Sequence, residues 1–373
     1  AEATIPDYQM AAWLMAVYFQ GLDDLELSAF TESLMNSGRR YTWEGIDRPI
    51  VDKHSSGGVG DKTSLVLIPL AAACGLAIPK ISGRGLGLTG GTVDKLESIP
   101  GMRLHLDAEE FEAQVRSVGA AIVGQSGDFV PADGRIYALR ELTSTTDSIP
   151  LIAASIMSKK LATGAATILL DVKVGSGAFM QDIAEARLLA KTMVSLGTRA
   201  GRKTRAFVTS MDNPLGTAIG NSLEVAEAIE TLRGEGPSDL VDLAITFAAA
   251  LIRDSGLRSA PRAARQLAER MLGGGYAYEK TEELVDSQGG NLEAFIQSPA
   301  HEKLGSPIVA CAPISGYISS IDARSVAILV RNLGGGRMQK SDSISPGVGV
   351  RLTHRVGDSV QAGDVLAEIY AHP

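Results

Sequence analysis

Two glycine-rich segments carry most of the side chains that could do chemistry. The first, residues 53–64, combines glycines and hydroxyls with Lys53, Lys62 and His54. Glycines expose backbone N–H groups and allow close approach, so such a loop can hold a phosphate. It is not a Walker A motif, because Asp61 separates Gly60 from the lysine. We therefore expect an anion loop of another kind, with a solvated glycine turn as the alternative.

The second segment, residues 82–97, matches a dinucleotide-binding fingerprint at Gly85, Gly87 and Gly90. That fingerprint opens a long helix, whereas Pro100 leaves room here for only about two turns. A nicotinamide-dependent oxidoreductase is therefore the weaker alternative.

A third group of polar residues lies in segments 137–140 and 152–160. If the chain is helical from Pro150, then Ile152, Ser155 and Lys159 share one face. An apolar surface, a hydroxyl and an ammonium would then project together. The alternative is a solvated lysine at a helix end, where the helix dipole favours it.

Composition excludes several classes of protein. The chain has 373 residues, 41 of them glycine, and a formal net charge of −8. Two or three domains are predicted, and a chain-wide basic surface for nucleic acid or anionic lipid is excluded. Two cysteines cannot form a disulfide framework, and the five histidines show no metal-site spacing. The longest apolar run, 65–78, is too short to cross a bilayer and no signal-peptide layout is present, so we expect a cytoplasmic protein.

Periodicity positions these segments in an α/β pattern. Helices are predicted within 6–38 and 133–161. Strands are predicted at 77–81, 120–123, 166–174 and 204–209, and the chain turns to β character after about residue 305.

The three segments, in this order, resemble the pyrimidine nucleoside phosphorylase and thymidine phosphorylase family. Residues 82–97 are similar to its signature, and 53–61, 140–160 and 171–180 match around it. The resemblance covers nearly the whole chain. It implies reversible phosphorolysis of uridine, thymidine and deoxyuridine to a free base and a pentose 1-phosphate. A phosphorylase restricted to thymidine is the alternative.

The resemblance also implies roles for individual residues. The residues that would bind phosphate are Lys53, Ser55, Ser64, Ser82 and Thr92. His54, Arg140 and Lys159 are the implied catalytic residues, with His54 near O2 of the base as donor or acid. The pyrimidine would be bound by Tyr137, Arg140, Ser155, Lys159, Leu86, Ile152 and Phe179.

Family members, by the same resemblance, are homodimers joined through the helical domain, need no organic cofactor and take inorganic phosphate as co-substrate. Pattern and resemblance together predict an α/β fold: a small all-helical domain, a large α/β domain with a mixed central sheet, and a C-terminal, mostly β, barrel-sandwich-like subdomain. The predicted bounds are 1–48 and 131–162 for the helical domain, 49–130 and 163–304 for the α/β domain, and 305–373 for the C-terminal subdomain.

Three positions depart from the family pattern or vary within the family. Lys80 stands where uridine-accepting members have lysine, which predicts broad pyrimidine specificity. Leu88 replaces a usual histidine. Lys62 replaces a threonine of members that bind potassium.

That potassium site would comprise Gly60, Leu215, Ala218 and Glu227 together with position 62. Our hypothesis is that the Lys62 ammonium replaces the ion and ties Gly60 to Glu227.

A carrier protein is a further alternative for the C-terminal part. Residues 356–366 resemble half of a biotinyl or lipoyl carrier barrel. A carrier needs a lysine flanked by methionine at an exposed hairpin tip. Met338 and Lys340 are the nearest match, and their spacing is wrong.

Overall fold

The computed structural model describes residues 4–85, 90–339 and 341–372. Helices and strands alternate between residues 51 and 210, and five consecutive helices follow between 221 and 297. In chain order the elements are α1 (Asp7–Gln20), α2 (Asp24–Met35), β1 (Val51–Ser55), α3 (Thr63–Ala73), β2 (Ile78–Ser82), α4 (Thr92–Leu96), α5 (Ala108–Val118), β3 (Ala120–Gly124), α6 (Pro131–Leu142), α7 (Ile149–Ala162), β4 (Thr167–Val174), α8 (Ile183–Arg199), β5 (Lys203–Ser210), β6 (Ala218–Ile219), α9 (Asn221–Leu232), α10 (Ser238–Asp254), α11 (Pro261–Gly273), α12 (Tyr276–Ser287), α13 (Leu292–Gln297), a 3-10 turn (Glu302–Leu304), β7 (Ile308–Cys311), β8 (Gly316–Tyr317), α14 (Ala323–Val330), a π turn (Arg331–Gly335), β9 (Gly349–Leu352), β10 (Ser359–Val360) and β11 (Val365–Tyr370).

Five parallel strands form the centre of the α/β part. Strand β4 pairs with β1 and β5, and β2 pairs with β3. A parallel bridge between Ile50 and Ala77 joins the two groups in the order β3-β2-β1-β4-β5. The α/β class is confirmed. The predicted mixed sheet differs in one detail, since these five strands are all parallel and antiparallel pairing begins at β6, which joins β9 of the C-terminal part.

Helices cover this sheet and bury it. From Thr63 to Ala72 every residue of α3 is buried, and α10 and α12 pack against that helix. In β4, seven of eight residues are buried, which agrees with the continuous apolar run expected of a strand covered on both faces. Asp171 and Lys173 are charged residues within this buried strand, and their side chains form an ion pair at 2.8 Å.

Two helical stretches that are distant in sequence pack together. Helix α1 lies against α6, and α2 lies against α7. Asp23 begins α2 with a capping box, in which its carboxylate accepts from the Glu26 N–H and Glu26 accepts in return. The C-terminal part contains the antiparallel sheet β6-β9-β11-β7 and the pair β8-β10, so its predicted β character is confirmed. The predicted domain bounds stay predictions.

The topology brings the two glycine-rich segments to one place. Strand β1 ends at Ser55 and its neighbour β2 ends at Ser82, immediately before the two loops. Carboxyl ends of parallel strands meet at the same edge of a sheet, where ligands of α/β proteins bind. Within the described residues, no helix is long and apolar enough to cross a membrane.

Candidate active site

A cleft of about 370 Å³ separates the two glycine-rich loops from helices α6 and α7. All three chemically promising segments of the sequence contribute to its walls. The lining residues are His54, Ser55, Ser56, Gly57, Gly58, Asp61, Ser64, Lys80, Ile81, Ser82, Gly83, Arg84, Gly85, Gly90, Gly91, Thr92, Gln125, Tyr137, Ile156, Lys159 and Lys160.

The first loop is folded back by Asp61. This carboxylate accepts hydrogen bonds from the Ser55 hydroxyl and, at 2.7 Å, from the Thr63 hydroxyl. Burial opposes its charge, but Lys53 and Lys173 hold the pKa of Asp61 well below its ordinary value. The loop is therefore a fixed structure that presents hydroxyls and backbone N–H groups beside a stable negative charge.

Two buried lysines support the floor of the cleft. The Lys53 ammonium lies 3.3 Å from the Ser64 hydroxyl and 3.8 Å from the Asp171 carboxylate. The Lys80 ammonium donates to the Lys53 carbonyl at 2.6 Å. Burial lowers the pKa of both lysines, and for Lys80 the nearby Lys160 lowers it further. An anion bound here would stabilise the charged forms.

The second loop begins and ends at the cleft. Ser82 at the end of β2 and Thr92 at the start of α4 both line it. Helix α4 has only five residues, which argues against a dinucleotide-binding turn because that turn opens a long helix. Leu86 and Leu88 lie outside the described residues.

Helix α7 presents the Lys159 ammonium from the opposite wall. The ammonium donates to the Ser155 hydroxyl at 3.0 Å and to the Ser155 carbonyl at 2.9 Å, and it pairs with the Asp133 carboxylate. Asp133 is almost fully buried on α6, whereas Lys159 is 25% exposed. The structure thus brings Ser155 and Lys159 together as the helical spacing predicted, and Asp133 is a partner that the sequence analysis missed.

Arg140 is buried beside the cleft. Its guanidinium donates to the carbonyl oxygens of Thr145, Thr146 and Leu151 at 3.2, 2.7 and 3.2 Å. Its Cζ lies 5.6 Å from the ring centroid of Tyr137, which itself lines the cleft.

Among the described residues, four of the predicted pyrimidine contacts do not line the cleft. They are Arg140, Ser155, Ile152 and Phe179, and Phe179 is about half exposed in the loop after β4. Ser155 contributes indirectly through its hydrogen bond to Lys159. Their contacts with a base stay predictions.

His54 lines the cleft together with Lys80, Lys159 and Lys160. Burial lowers its pKa well below the ordinary value, and the positive charges of Lys160 and Lys80 lower it further. The imidazole is therefore neutral near pH 7, and a neutral imidazole donates from one nitrogen and accepts at the other.

The Lys62 side chain fills the position of the potassium ion in our hypothesis. Its ammonium donates to the carbonyl oxygens of Leu215 and Ala218, each at 2.8 Å, and pairs with the Glu227 carboxylate. The hydrogen bond from Lys62 to the Gly60 carbonyl, at 2.9 Å, comes from the Lys62 backbone N–H and not from the ammonium. The residues present therefore do not fit a bound cation, because an ammonium already holds the oxygens that would coordinate it. Within the described residues, no cluster of His, Cys, Asp or Glu could hold a metal ion either.

Family comparisons agree with this arrangement. A model described as "Glycosyl transferase family, a/b domain" matches residues 47–278, and "Glycosyl transferase family, helical bundle domain" matches 1–38. "Pyrimidine nucleoside phosphorylase C-terminal domain" matches 317–373. The pyrimidine-nucleoside phosphorylase of Geobacillus stearothermophilus is 45% identical over 369 residues, covering 99% of this chain and 85% of that protein. The chain belongs to the pyrimidine-nucleoside phosphorylase family.

Other relatives support the same family. The pyrimidine-nucleoside phosphorylase of Bacillus subtilis (strain 168) is 44% identical over 371 residues, covering 100% of this chain and 86% of that protein. Among solved structures, an anthranilate phosphoribosyltransferase from Thermus thermophilus superposes with a TM-score of 0.57 at 18% identity, covering 76% of this chain and 96% of that one. That likeness shows a shared fold. The phosphorylase C-terminal match also accounts for the barrel-like pattern that suggested a carrier, and Lys340 lies outside the described residues.

Several cleft residues were not singled out from the sequence. Gln125, Ile156 and Lys160 line the cleft, and Lys160 pairs at 2.8 Å with the buried Asp52 of β1. Gln125 follows β3 at the same sheet edge as the two loops, so the strand order would have indicated it.

Proposed function

We propose that this chain catalyses the reversible phosphorolysis of pyrimidine nucleosides. One observation carries the proposal: in a member of this family, two hydroxyl-rich loops face a serine and lysine pair across one cleft. Phosphate needs no general base, since it arrives as an anion. It has to be held in line with the anomeric carbon while the base departs.

Phosphate binding falls to the loop side of the cleft. The Ser64, Ser82 and Thr92 hydroxyls and the loop N–H groups supply donors, and Lys53 supplies charge through Ser64. The Ser55 hydroxyl can donate to phosphate only by giving up its hydrogen bond to Asp61, since it has one proton. Positive charges buried beneath a loop act strongly on an anion, because little water screens them.

Base recognition falls to the helical side. As the glycosidic bond breaks, the sugar gains oxocarbenium character and the departing pyrimidine gains negative charge on its oxygens and N3. Lys159, held by Ser155 and Asp133, stabilises that charge. We assign Arg140 to the base as an additional cation and Tyr137, Ile152 and Phe179 to its apolar contacts, which requires Arg140, Ile152 and Phe179 to reach the cleft when the base binds. Leu86, outside the described residues, keeps the contact that the resemblance implies. His54 acts as a neutral hydrogen-bond donor to O2.

Lys80 supports use of uridine as well as thymidine and deoxyuridine. Its ammonium lies on the cleft wall, where it can donate to a polar group of the sugar or the base. A thymidine-restricted enzyme is not favoured.

The enzyme has no need of potassium or of an organic cofactor in this proposal. The Lys62 ammonium supplies the positive charge at the carbonyl oxygens of Leu215 and Ala218. Inorganic phosphate is the co-substrate.

The chain is a homodimer in this proposal, joined through its helical domain. Support comes from large apolar side chains on the first two helices: Tyr8, Phe19 and Leu25 are 73%, 72% and 72% exposed. Exposed apolar groups of this kind mark interaction surfaces. Sedimentation equilibrium tests this, and a monomer at all concentrations would contradict it.

The decisive experiment measures base release. The chain is incubated with uridine, thymidine or deoxyuridine, with and without phosphate, and the free base is separated and quantified. We expect release from all three that requires phosphate. If no nucleoside releases its base in a phosphate-dependent way, the proposal is wrong.

A further inference from the structure

We propose that Arg337, which comes from the C-terminal part of the chain, is a positioning residue for the phosphate site. It acts through Asp94, whose carboxylate closes the neck of the second glycine-rich loop. The inference rests on the proposed function, because it assumes that this loop holds phosphate.

The neck of the loop is a backbone contact. A Cβ atom added at Gly91 would overlap the backbone of Gly85 and Arg84, so the two ends of the loop touch. The Gly85 N–H donates to the Asp94 carboxylate at 2.6 Å. Asp94 lies on α4, one turn after Gly91, and its side chain therefore fastens the start of the loop to the helix that ends it.

Asp94 needs cations because its side chain is only 1% exposed. A buried carboxylate is costly unless it is paired and hydrogen-bonded. Arg337 pairs with Asp94 Oδ1 at 2.8 Å and is itself 10% exposed. Arg84 also reaches Oδ1, at 3.1 Å, but it is 45% exposed and shared with Glu97. Water screens the more exposed pair, so Arg337 is the principal partner.

Arg337 is held in place on its own side. Its Nε donates to the Asp342 carbonyl at 3.0 Å, and its Nη1 lies 3.5 Å from the Gly85 carbonyl. The guanidinium thus contacts both Gly85 of the loop and the Asp94 carboxylate, although Arg337 is not among the residues that line the cleft. Its effect on phosphate must pass through Asp94 and Gly85.

This arrangement links the C-terminal part to phosphate binding specifically. Gly85, Gly91 and Thr92 line the loop side of the cleft, whereas Lys159 and Tyr137 lie on the opposite wall. Loss of Arg337 should therefore raise the KM for phosphate and leave the KM for the nucleoside nearly unchanged. A purely structural contact would affect stability without that selectivity.

The test compares Arg337→Gln with a matched control. Arg355 also links the C-terminal part to the α/β part, pairing with Asp239 of α10 at 2.7 Å, and its hydrogen bonds go to Ser238, Asp239 and Asp358 rather than to the described residues of the loop. We expect Arg337→Gln to raise the phosphate KM roughly ten- to a hundredfold, the range seen when residues that orient metal ligands are removed. Arg355→Gln should leave both KM values within about twofold. Phosphate-dependent thermal stabilisation gives a second readout that is independent of turnover.

Two further variants separate the possible failures. Arg337→Lys keeps the positive charge but loses the planar guanidinium with its several donors, so the phosphate KM should rise less than in Arg337→Gln. If Arg337→Gln does not fold, Arg337→Lys is measured in its place. A phosphate KM that is unchanged in a folded Arg337 variant overturns the inference, as does an equal rise in Arg355→Gln. Thr92→Val tests the loop itself: if it raises the phosphate KM while Arg337→Gln does not, the proposed function stands and this inference alone fails.

Discussion

Replacement of Lys62 by methionine tests whether the Lys62 ammonium takes the place of a bound cation. Lys62 is fully buried, and its ammonium contacts two carbonyl oxygens and the Glu227 carboxylate. Methionine retains most of the volume and removes the charge and the donors. We expect a folded but less stable protein.

The contacts that Glu227 keeps in Lys62→Met determine how much unfolding free energy is lost. Breaking a buried ion pair by removing one partner costs about 3–5 kcal/mol, because the remaining charge stays buried. Glu227 keeps a hydrogen bond from the Thr217 N–H at 2.8 Å and another from the Thr217 hydroxyl. We therefore expect a loss near the lower end, about 3 kcal/mol.

The loss of stability in Lys62→Met should depend on pH. Burial opposes the Glu227 charge, but the Lys62 ammonium lowers the pKa of that carboxyl below its ordinary value. In the wild type this contributes stability that is present above the unfolded-state pKa and is lost as the pH falls through the folded-state pKa. In Lys62→Met, burial without the cation raises the pKa, so the deficit should be larger at neutral pH than at acid pH.

The assay is denaturant unfolding followed by circular dichroism, in potassium chloride and in choline chloride at equal ionic strength. Wild-type stability and activity should be the same in both salts. Lys62→Thr, which vacates space beside the same oxygens, should regain stability in potassium, whereas Lys62→Met should not. Potassium activation of the wild type, or a Lys62→Met deficit that does not change with pH, would refute the reasoning.

Three other variants test the site and the core. Lys159→Ala should lower kcat by roughly 10²- to 10³-fold, as for loss of one transition-state donor, while circular dichroism shows an intact fold; full activity would contradict its role. Lys80→Met should lower the ratio of uridine to thymidine turnover by roughly tenfold, equivalent to about 1.4 kcal/mol, because a thioether cannot donate to a substrate; an unchanged ratio would remove Lys80 as a specificity residue. Phe111→Ala should cost about 3–5 kcal/mol of unfolding free energy in denaturant titration. Phe111 is fully buried with its ring centroid 5.1 Å from that of Tyr41, and a loss below about 1 kcal/mol, near the smallest typical core effect, would contradict this packing.

Local pattern predicted four of the five central strands and the Ser155–Lys159 pair, but it missed β1, Val51–Ser55. The strands predicted at 77–81 and 120–123 occur at Ile78–Ser82 and Ala120–Gly124. Ser155 and Lys159 meet because a helix brings positions four apart to the same face. The central sheet is parallel where a mixed one was expected, because strand direction depends on how the connecting helices cross the sheet.

Partners distant in sequence could not be predicted in this way. Asp133 lies 26 residues before Lys159, and nothing in either helix marks the pair until α6 and α7 pack together. The identity of Lys62 suggested a replacement for a cation. The resemblance had named Leu215, Ala218 and Glu227 around position 62, and the Lys62 ammonium contacts all three. The predicted tie to Gly60 differs, because the Lys62 backbone N–H, and not the ammonium, donates to the Gly60 carbonyl.

The sequence by itself determined the chemical groups of this protein and the short-range geometry that follows from strand and helix periodicity. It also determined that any anion must bind at a local site, since the net charge is −8. Only the tertiary structure decided which buried charges face one another. Arg337 and Asp94 are 243 residues apart, and Lys160 and Asp52 are 108 apart. Burial makes these pairs costly to break, because a charge left alone would stay out of water, and burial is a property of the packed chain rather than of any segment within it.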